Sequence, residues 1–572
     1  MPEASIAGSK CNSRGEDIVI SYHPNPHIKR DSIFLLNGLW DYAITKKGKY
    51  KNPSDVIWQG KINVPYSPEA KLSGLLHTLQ PSEELWYHLN LDIERKAGER
   101  YFFTAGAIDH SCEIFLNGVS IKRHSGGYTP VVAELTDNLL DGKNSISIRV
   151  VDPTDKGPFA RGKQTLKPHG MWYRCQSGIW QSVYIERKKS LFIEGFEYES
   201  LESLDGIRVK IDSSDGNKHD CILEFNGERY VLSTCQWHIL KVDNAHPWSP
   251  ENPYIYPVSI LLHDDRIESY VAIRTVAIEN KRILLNGKEY FCNGVLDQGY
   301  NNDGLYTFTP EQMEHDIEFI KSLGFNTIRK HIKVEESFYY YLCDLKGVLV
   351  WQDMPSGSKS SFIVSKIPAI IESFQLPDTR YRRLFGRCDK NGIVEFENNM
   401  QEIVSKLNFF KCIIVWTIFN EGWGQFDAKE MTEKLRALDP TRLIDSTSGW
   451  HDQMCGDFYS RHVYFKKYNY KGDKAKRAEV LSEFGGLIYR IAGHVYNDKD
   501  FIYKKVETKE EFLSHLKALF DNIREEKKKG LAASIYTQSV DVEEESNGFV
   551  TYDREVVKAD VEDLRKIILI PN

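Results

Sequence analysis

Two glutamates are placed so that they could act together on one bond. Glu421 follows Asn420 at the end of an apolar run, and Glu483 follows Ser482 at the end of another. They are 483 − 421 = 62 residues apart, so only the fold can bring them together. Glycosidic cleavage needs a protonated acid that assists the leaving group and an ionised acid that attacks the anomeric carbon. Taken singly, each glutamate has a simpler interpretation as a surface acid or a member of a salt bridge.

The region after about residue 290 alternates short apolar runs with amphipathic stretches. A capping box from Thr309 to Gln312 predicts one helix start. The fourth predicted strand is apolar almost throughout, as a strand covered on both faces must be. Polar clusters recur at the strands' carboxyl ends, which favours a (β/α)₈ barrel over an open parallel sheet, because those ends meet on one barrel face. The predicted strands are residues 290–298, 325–332, 347–355, 412–421, 443–450, 458–464, 479–486 and 531–538.

The first half of the chain is typical of antiparallel β-structure. Residues 144–150 alternate polar and apolar side chains, as a half-buried strand does. Asn-Gly pairs at residues 117–118, 226–227 and 286–287 lie between apolar runs and favour two-residue hairpins. Short strands and few helical periods predict β-sandwiches.

Composition excludes several classes of function. The chain has 572 residues and a net charge of −7, which indicates several domains and no chain-wide affinity for nucleic acid. No run approaches the ~18 apolar residues of a membrane span, and the first twenty residues show no secretory signal. The ten cysteines include no Cys-x-x-Cys pair, which favours reduced thiols in a cytoplasmic protein.

Several motifs together resemble one family. Residues 415–424 (VWTIFNEGWG) and 482–486 (SEFGG) resemble the acid/base and nucleophile segments of glycoside hydrolase family 2, the family of β-galactosidases, β-glucuronidases and β-mannosidases. Residues 36–40 (LNGLW), 126–130 (GGYTP) and 177–181 (SGIWQ) resemble its N-terminal jelly roll. Residues 247–254 (PWSPENPY) are similar to a run in its immunoglobulin-like sandwich.

The resemblance implies an architecture and a mechanism. We expect a jelly-roll β-sandwich at residues 1–188, an immunoglobulin-like β-sandwich at 189–280 and a catalytic (β/α)₈ TIM barrel at 281–572. The family implies a retaining double displacement with Glu421 as acid/base and Glu483 as nucleophile. It also implies a carbohydrate substrate, no redox or nucleotide cofactor, and a homo-oligomer.

Further residues are predicted to bind substrate or to position the carboxylates. Asn420 is expected to bond the sugar 2-hydroxyl, with a turn cap as the alternative. Arg329 would keep the nucleophile ionised, and His331 would contact hydroxyls or be structural. Trp351, Trp423, Trp450 and Tyr536 are candidates for aromatic walls that stack on sugar faces, with a place in the core as the equal alternative for each. Trp172 is expected to reach the pocket from the jelly roll. The remaining candidates for substrate binding are Asp297, His462, Tyr464 and Gln538.

The sequence favours a terminal β-D-galactoside as substrate. Residues 536–549 contain four acids, Asp541, Glu543, Glu544 and Glu545, and no lysine, whereas the glucuronidases of the family carry Asn-x-Lys there. Acids at that place would repel a uronate. The alternatives are an α-L-arabinopyranosidase and a β-glucuronidase that uses Arg329, Lys330 or Lys333. Outside the enzymes, the alternatives are a non-catalytic carbohydrate-binding protein and an adaptor that uses its sandwiches to bind partners.

Overall fold

The computed structural model describes residues 22–358, 361–365, 367–371, 374–464, 466–499 and 503–572. The first twenty residues, for which the sequence predicts no secretory signal, lie outside that part. Within it, no helix is both long and apolar enough to cross a membrane.

The N-terminal part is a jelly-roll β-sandwich of two antiparallel sheets. Their strand orders are β1-β14-β5-β9 and β3-β2-β4-β10-β7-β8. The predicted Asn117-Gly118 turn joins β7 to β8, with both residues at positive φ. The strands are β1 (Ile33–Leu35), β2 (Gly38–Lys46), β3 (Gly60–Val64), β4 (Glu83–Ile93), β5 (Glu99–Ala105), β6 (Ile108–Asp109), β7 (Ser111–Leu116), β8 (Val119–Ser125), β9 (Val131–Glu134), β10 (Gly142–Val151), β11 (Gln164–Thr165), β12 (Tyr173–Arg174), β13 (Gly178–Ile179) and β14 (Val183–Lys189).

The next part is an immunoglobulin-like sandwich, followed by a three-stranded meander that leads into the barrel. The sandwich sheets have the orders β15-β16-β19 and β18-β17-β20-β21, and the meander is β22-β23-β24. The other two predicted Asn-Gly turns join β17 to β18 and β23 to β24. The strands are β15 (Ile193–Ser200), β16 (Gly206–Ser213), β17 (Asp220–Phe225), β18 (Glu228–Ser233), β19 (Trp237–Lys241), β20 (Tyr256–Leu262), β21 (Asp265–Val271), β22 (Val276–Glu279), β23 (Arg282–Leu285) and β24 (Lys288–Glu289).

The C-terminal part is a TIM-like barrel with all eight predicted strands. They are β25 (Cys292–Asp297), β26 (Thr327–Lys330), β27 (Leu349–Asp353), β28 (Ile413–Asn420), β29 (Leu443–Ser448), β30 (Phe458–Val463), β31 (Ala478–Gly485) and β34 (Ala533–Thr537), with β32 (Leu487–Tyr489) and β33 (Lys504–Val506) as a small added ladder. The helices are α1 (Pro310–Ser322), α2 (Ser337–Lys346), α3 (Phe362–Ser365), α4 (Ile367–Ile370), α5 (Lys390–Leu407), α6 (Ala428–Leu438), α7 (Lys509–Lys529) and α8 (Val561–Ile568). The parallel sheet has the order β29-β28-β27-β26-β25-β34-β31-β30. Neighbours in space are therefore neighbours in sequence and the first strand lies beside the last, which is the order of a barrel and not of an open sheet.

Local sequence explains how these elements begin and what covers them. The predicted capping box at α1 is present, with Thr309 Oγ1 accepting from the Gln312 amide at 3.3 Å and Gln312 Oε1 from the Thr309 amide at 3.0 Å. All eight residues of β28 are buried, because the strand faces side chains in the barrel on one side and helices on the other.

Candidate active site

The two predicted acids meet at the carboxyl-terminal face of the barrel. Glu421 directly follows β28, and Glu483 lies two residues before the end of β31. A carboxylate oxygen of each and a ring nitrogen of His462 all lie within 4.8 Å of one another. In retaining glycosidases the two carboxyl groups are about 5–5.5 Å apart, so the spacing suits direct attack by one of the acids.

The backbone turns sharply at Glu421. Its φ is 51°, in the left-handed region, and its amide donates to the Ser448 carbonyl at 2.9 Å. Such a conformation is uncommon for residues other than glycine and is concentrated at functional sites. The Glu421 side chain pairs with His462 Nδ1 at 2.9 Å. It is 13% exposed, so a ligand can reach it.

Glu483 lies deeper and is held by two donors. Arg329 Nη1 donates to Glu483 Oε1 at 3.2 Å, and the Tyr464 hydroxyl donates to Oε2. Burial alone would raise the pKa of Glu483, but its interactions with His462 and Arg329 lower that pKa to about 2. Burial and the Glu483 charge raise the pKa of Tyr464 well above its usual range, so its hydroxyl keeps the proton that it donates.

A buried network behind Glu483 contains the predicted residues of the second and fourth strands. Arg329 is fully buried and holds Asp353 through two bonds of 3.0 Å. Its Nη2 also donates to Asn420 Oδ1 at 2.9 Å. His331 Nδ1 lies 2.9 Å from Asp353 Oδ2. The structure thus brings Arg329, Asn420 and His331 together, with Arg329 positioning side chains from beneath.

Some of the other candidates lie near the glutamates and some do not. The Trp450 ring centroid is 6.1 Å from that of His462. Asp297 bonds Lys330 Nζ at 2.7 Å, in a separate ion-pair network. Gln538 is fully buried and bonds Asn547 Oδ1 at 2.8 Å.

Two of the candidates for aromatic walls are core residues. Tyr536 is fully buried, and its ring packs against Phe549 with centroids 4.9 Å apart and against Phe484 at 5.6 Å. Trp351 is fully buried and stacks on Phe458 at 5.3 Å. Each of these two rings packs among hydrophobic side chains, which is the core position that the sequence analysis gives as the alternative.

A small cavity beside Glu421 is partly walled by the jelly roll. Trp172 lies there as predicted, with its ring 4.8 Å from that of Trp423 in an edge-on contact. The cavity measures about 40 Å³, well below the ~300 Å³ of a typical ligand pocket. A larger cavity of about 630 Å³ lies between the jelly roll and α5, and neither Glu421 nor Glu483 lines it. We therefore locate the candidate site by the two carboxylates and not by cavity size. The lining residues of the small cavity are Lys163, Met171, Trp172, Ile332, Ser365, Asn420, Glu421 and Trp423.

The sequence analysis missed two residues of this region. Lys163 lines the cavity, and the Tyr503 ring lies 5.1 Å from that of Tyr464. Neither belongs to a motif and both lie in irregular connections, so no pattern in the sequence marks them.

The four acids after β34 are paired within the protein. Asp541 forms an ion pair with Lys558 at 2.7 Å. The other three, here called the acidic clasp (Glu543, Glu544 and Glu545), bind the jelly-roll segment 157–174, here called the covering segment. Glu543 bonds Arg174 Nε at 3.0 Å, Glu544 accepts the Gly170 amide at 2.7 Å, and Glu545 accepts the Tyr173 hydroxyl. The clasp therefore holds the covering segment over the barrel mouth.

Two groups in the described residues have donor atoms close enough for a metal ion. One is Glu421, His462 and Glu483 at the barrel mouth, and the other is His494, Asp553 and Glu555 near the surface. In the first group the Arg329 guanidinium already provides a positive charge 3.2 Å from Glu483, so an added cation would be repelled.

The family model of the glycosyl hydrolases family 2 TIM barrel domain matches residues 276–568. The chain belongs to glycoside hydrolase family 2. Its curated relatives include a β-glucuronidase of Paenibacillus borealis, 22% identical over 63% of this chain, and a β-galactosidase of Vibrio cholerae, 25% identical over 72%. The matches span 63% and 43% of those two relatives.

Solved structures of this family have the same fold over nearly the whole chain. A β-D-glucuronidase of Dictyoglomus thermophilum superposes with a TM-score of 0.73 at 20% identity, covering 94% of this chain and 98% of its own. A β-galacturonidase of Eisenbergiella tayi gives 0.70 at 18% identity, covering 95% and 97%. Proteins with this fold thus include enzymes named for different sugars, glucuronic acid and galacturonic acid among them.

Proposed function

We propose that this family 2 glycosidase removes terminal β-linked sugars by a retaining double displacement, with Glu421 as acid/base and Glu483 as nucleophile. The observation that carries the proposal is the carboxylate pair within 4.8 Å at the barrel mouth. The proposal is supported by the difference between the two environments, since only Glu483 is held by both a guanidinium and a phenol.

In the first step Glu483 attacks the anomeric carbon while Glu421 gives its proton to the leaving oxygen. Arg329 and Tyr464 keep the Glu483 carboxylate ionised and fixed in direction, which orients it for attack. Asn420 uses its carbonyl oxygen for Arg329, so its amide NH₂ is left for a sugar hydroxyl. The bond to the leaving group breaks as the glycosyl–Glu483 ester forms.

In the second step water attacks the ester and Glu421, now ionised, takes its proton. Two inversions at the anomeric carbon give net retention. His462 lies 2.9 Å from Glu421 and 3.6 Å from Glu483. Its imidazole therefore contacts both acids while the negative charge passes from one to the other.

The mechanism does not determine which sugar is removed, so the sugar class needs its own argument. The sequence predicts a β-D-galactoside because four acids after β34 would repel a uronate. That argument loses its basis, since those acids bind Lys558, Arg174, Gly170 and Tyr173 and do not project unpaired toward a ligand. We therefore propose β-D-galactosides and β-D-uronides as the two classes to compare, with α-L-arabinopyranosides as a third because they share galactose's ring apart from C6.

The test is mechanism-based labelling combined with a substrate panel. Nitrophenyl glycosides of galactose, glucose, mannose, arabinopyranose, glucuronic acid and galacturonic acid are assayed, and the matching 2-fluoro glycosides are incubated with the enzyme. We expect turnover of at least one member and a glycosyl mass added to Glu483. Silence across the panel with Glu483 unlabelled would favour the carbohydrate-binding alternative.

A further inference from the structure

Lys163 is a buried cation in the cavity beside Glu421. The residue is 7% exposed and lines the same cavity as Asn420 and Glu421. Its carbonyl accepts the Tyr173 amide at 2.9 Å, and its ammonium lies 5.6 Å from the Tyr173 ring centroid. The clasp that fixes Tyr173 therefore also fixes Lys163.

Within the described part of the chain, the Lys163 ammonium forms no ion pair with a carboxylate. Among the residues that are described, no carboxylate lies within 4.0 Å of it. Lysine is almost never buried unless it is paired, because an unpaired buried charge is costly. An anion brought by a ligand would remove that cost.

The other cations considered for a uronate are already occupied. Arg329 is paired with Asp353 and Glu483. Lys330 is bonded to Asp297 at 2.7 Å, and Lys333 to Glu335 at 2.8 Å. All three are buried beneath the site, so none is available to a sugar substituent.

Arg161, two residues before Lys163, adds a second positive charge beside the cavity. Arg161 lies 5.4 Å above the Trp423 ring, and two of its guanidinium nitrogens have no hydrogen-bond partner within the described chain. Gly162 between them has a φ of 58°, and a Cβ there would lie 2.9 Å from the Tyr128 and Tyr306 hydroxyls. Only glycine fits that close approach, which fixes the two cations at this place.

Three acids lie near this charge, and each has its own hydrogen-bond partner. Glu421 and Glu483 pair with His462 and Arg329, and Glu545 accepts the Tyr173 hydroxyl. Burial raises the pKa of Glu545, and the Lys163 charge opposes that rise. The Lys163 charge also adds to those of His462 and Arg329, which lower the pKa of Glu483.

We propose that Lys163 binds the carboxylate of a uronic acid, so that the substrates are β-D-uronides. This deepens the proposed function and rests on it. The recognising charge comes from the jelly roll and not from the loop after β34 that supplies Asn-x-Lys in the glucuronidases of the family. A compact ammonium on a flexible stem suits a single carboxylate within a narrow cavity.

The test compares K163Q and K163M with K167Q, which removes the same charge from an exposed lysine of the covering segment. Paired substrates differ only at C6: galacturonide against galactoside, and glucuronide against glucoside. We expect wild type and K167Q to favour the uronide of a pair. In both Lys163 variants the ratio of uronide to hexoside kcat/KM should fall about ten- to hundredfold, as expected for loss of a charged hydrogen bond.

Binding of the free sugar acid gives a readout independent of turnover. By calorimetry, galacturonate or glucuronate should bind wild type more tightly than the matching hexose, and the difference should vanish in both Lys163 variants. If wild type hydrolyses hexosides, labels Glu483 and gives the same ratios in all variants, the Lys163 proposal is overturned and the proposed function stands. If nothing labels Glu483, the proposed function fails. In that case Lys163-dependent uronate binding would still support the anion site, and its absence would overturn it.

Discussion

At the scale of single residues, two chemically identical side chains differ by what surrounds them. Glu483 accepts from a guanidinium and a phenol inside the barrel, which stabilises its ionised form. Glu421 contacts His462 at a partly exposed turn, where a proton can be exchanged with the leaving group and then with water. Environment thus separates the proposed nucleophile from the proposed acid.

Glu421→Gln should affect substrates according to their leaving groups. Only a poor leaving group needs protonation, so hydrolysis of an unactivated disaccharide should fall about 10²–10⁴-fold. Glycosylation by a dinitrophenyl glycoside of the same sugar should fall much less, because its leaving group departs as a stable anion. Pre-steady-state kinetics with both substrates separate this step from deglycosylation. Equal losses on the two substrates would contradict the acid role.

The acid limb of the pH profile should not be set by Glu483. Its pKa in the folded protein is lowered to about 2 from an ordinary 4.5. A lowered pKa means that the ionised form stabilises the fold above about pH 4.5, and that this contribution is lost as pH falls through about 2. We therefore expect kcat/KM for an activated aryl glycoside to show no inflection near pH 4.5, with circular dichroism confirming a folded protein. An inflection there, in a folded protein, would show an unperturbed nucleophile.

At the scale of elements, register shifts in two strand ladders orient the side chains of the proposed site. The ladder between β30 and β31 shifts register between Arg461 and His462, and the ladder between β31 and β34 shifts between Leu481 and Phe484. Bulges of this kind redirect side chains and are concentrated next to active sites. They occur at His462 and Glu483, the residues that must face the barrel mouth.

Sequence predicts these strands but not which way each side chain points. The apolar run of 412–421 and the polar strand ends predict the barrel and bring both acids to one face, while the family resemblance assigns the roles of the acids. In a strand buried on both faces, polarity does not distinguish the two faces. For that reason the sequence leaves both places open for Tyr536, which packs in the core, whereas the adjacent Thr537 contacts Tyr464. Lys163 and the acidic clasp depend on contacts across hundreds of residues, which no local pattern contains.

Weakening the acidic clasp should lower activity without unfolding the enzyme. Glu543→Gln removes the charge that Arg174 binds at 3.0 Å, and Arg174 is 29% exposed, so water can solvate it. The covering segment should then present Trp172 and Lys163 less precisely, and we expect kcat/KM to fall about tenfold.

The control for the clasp is Glu555→Gln, an acid of the same connection whose side chain is 70% exposed. It should keep wild-type kcat/KM and melting temperature. The double variant Glu543→Gln, Arg174→Met should lose no more than the Glu543 variant if the pair acts as a unit. A Glu543 variant with full activity would show that the clasp does not position the segment.

At the scale of the whole molecule, buried guanidinium groups join the three parts. Arg274, just after the immunoglobulin-like sandwich, donates to the carbonyls of Lys411 and Ile413 at the start of β28. The clasp and Trp172 join the jelly roll to the barrel mouth. The active site is therefore assembled from two parts of the chain, and its geometry depends on how rigidly they are docked.

Arg30 is the connection whose loss should cost most stability. It lies before β1 and binds Glu186 of the jelly roll at 2.9 Å and Asp265 of the immunoglobulin-like sandwich at 2.8 Å, with its side chain 3% exposed. Arg30→Met leaves buried Asp265 without its cation and Glu186 with only Lys188 at 3.5 Å, which should destabilise the protein by about 3–5 kcal/mol. Arg208→Met, which breaks a surface pair with Glu199 where Arg208 is 44% exposed, should cost at most about 1 kcal/mol. Differential scanning calorimetry should therefore show a much lower first transition for the Arg30 variant than for the Arg208 variant. Equal midpoints would mean that the two sandwiches do not rely on this buried ion pair, and that apolar packing alone holds the jelly roll in place.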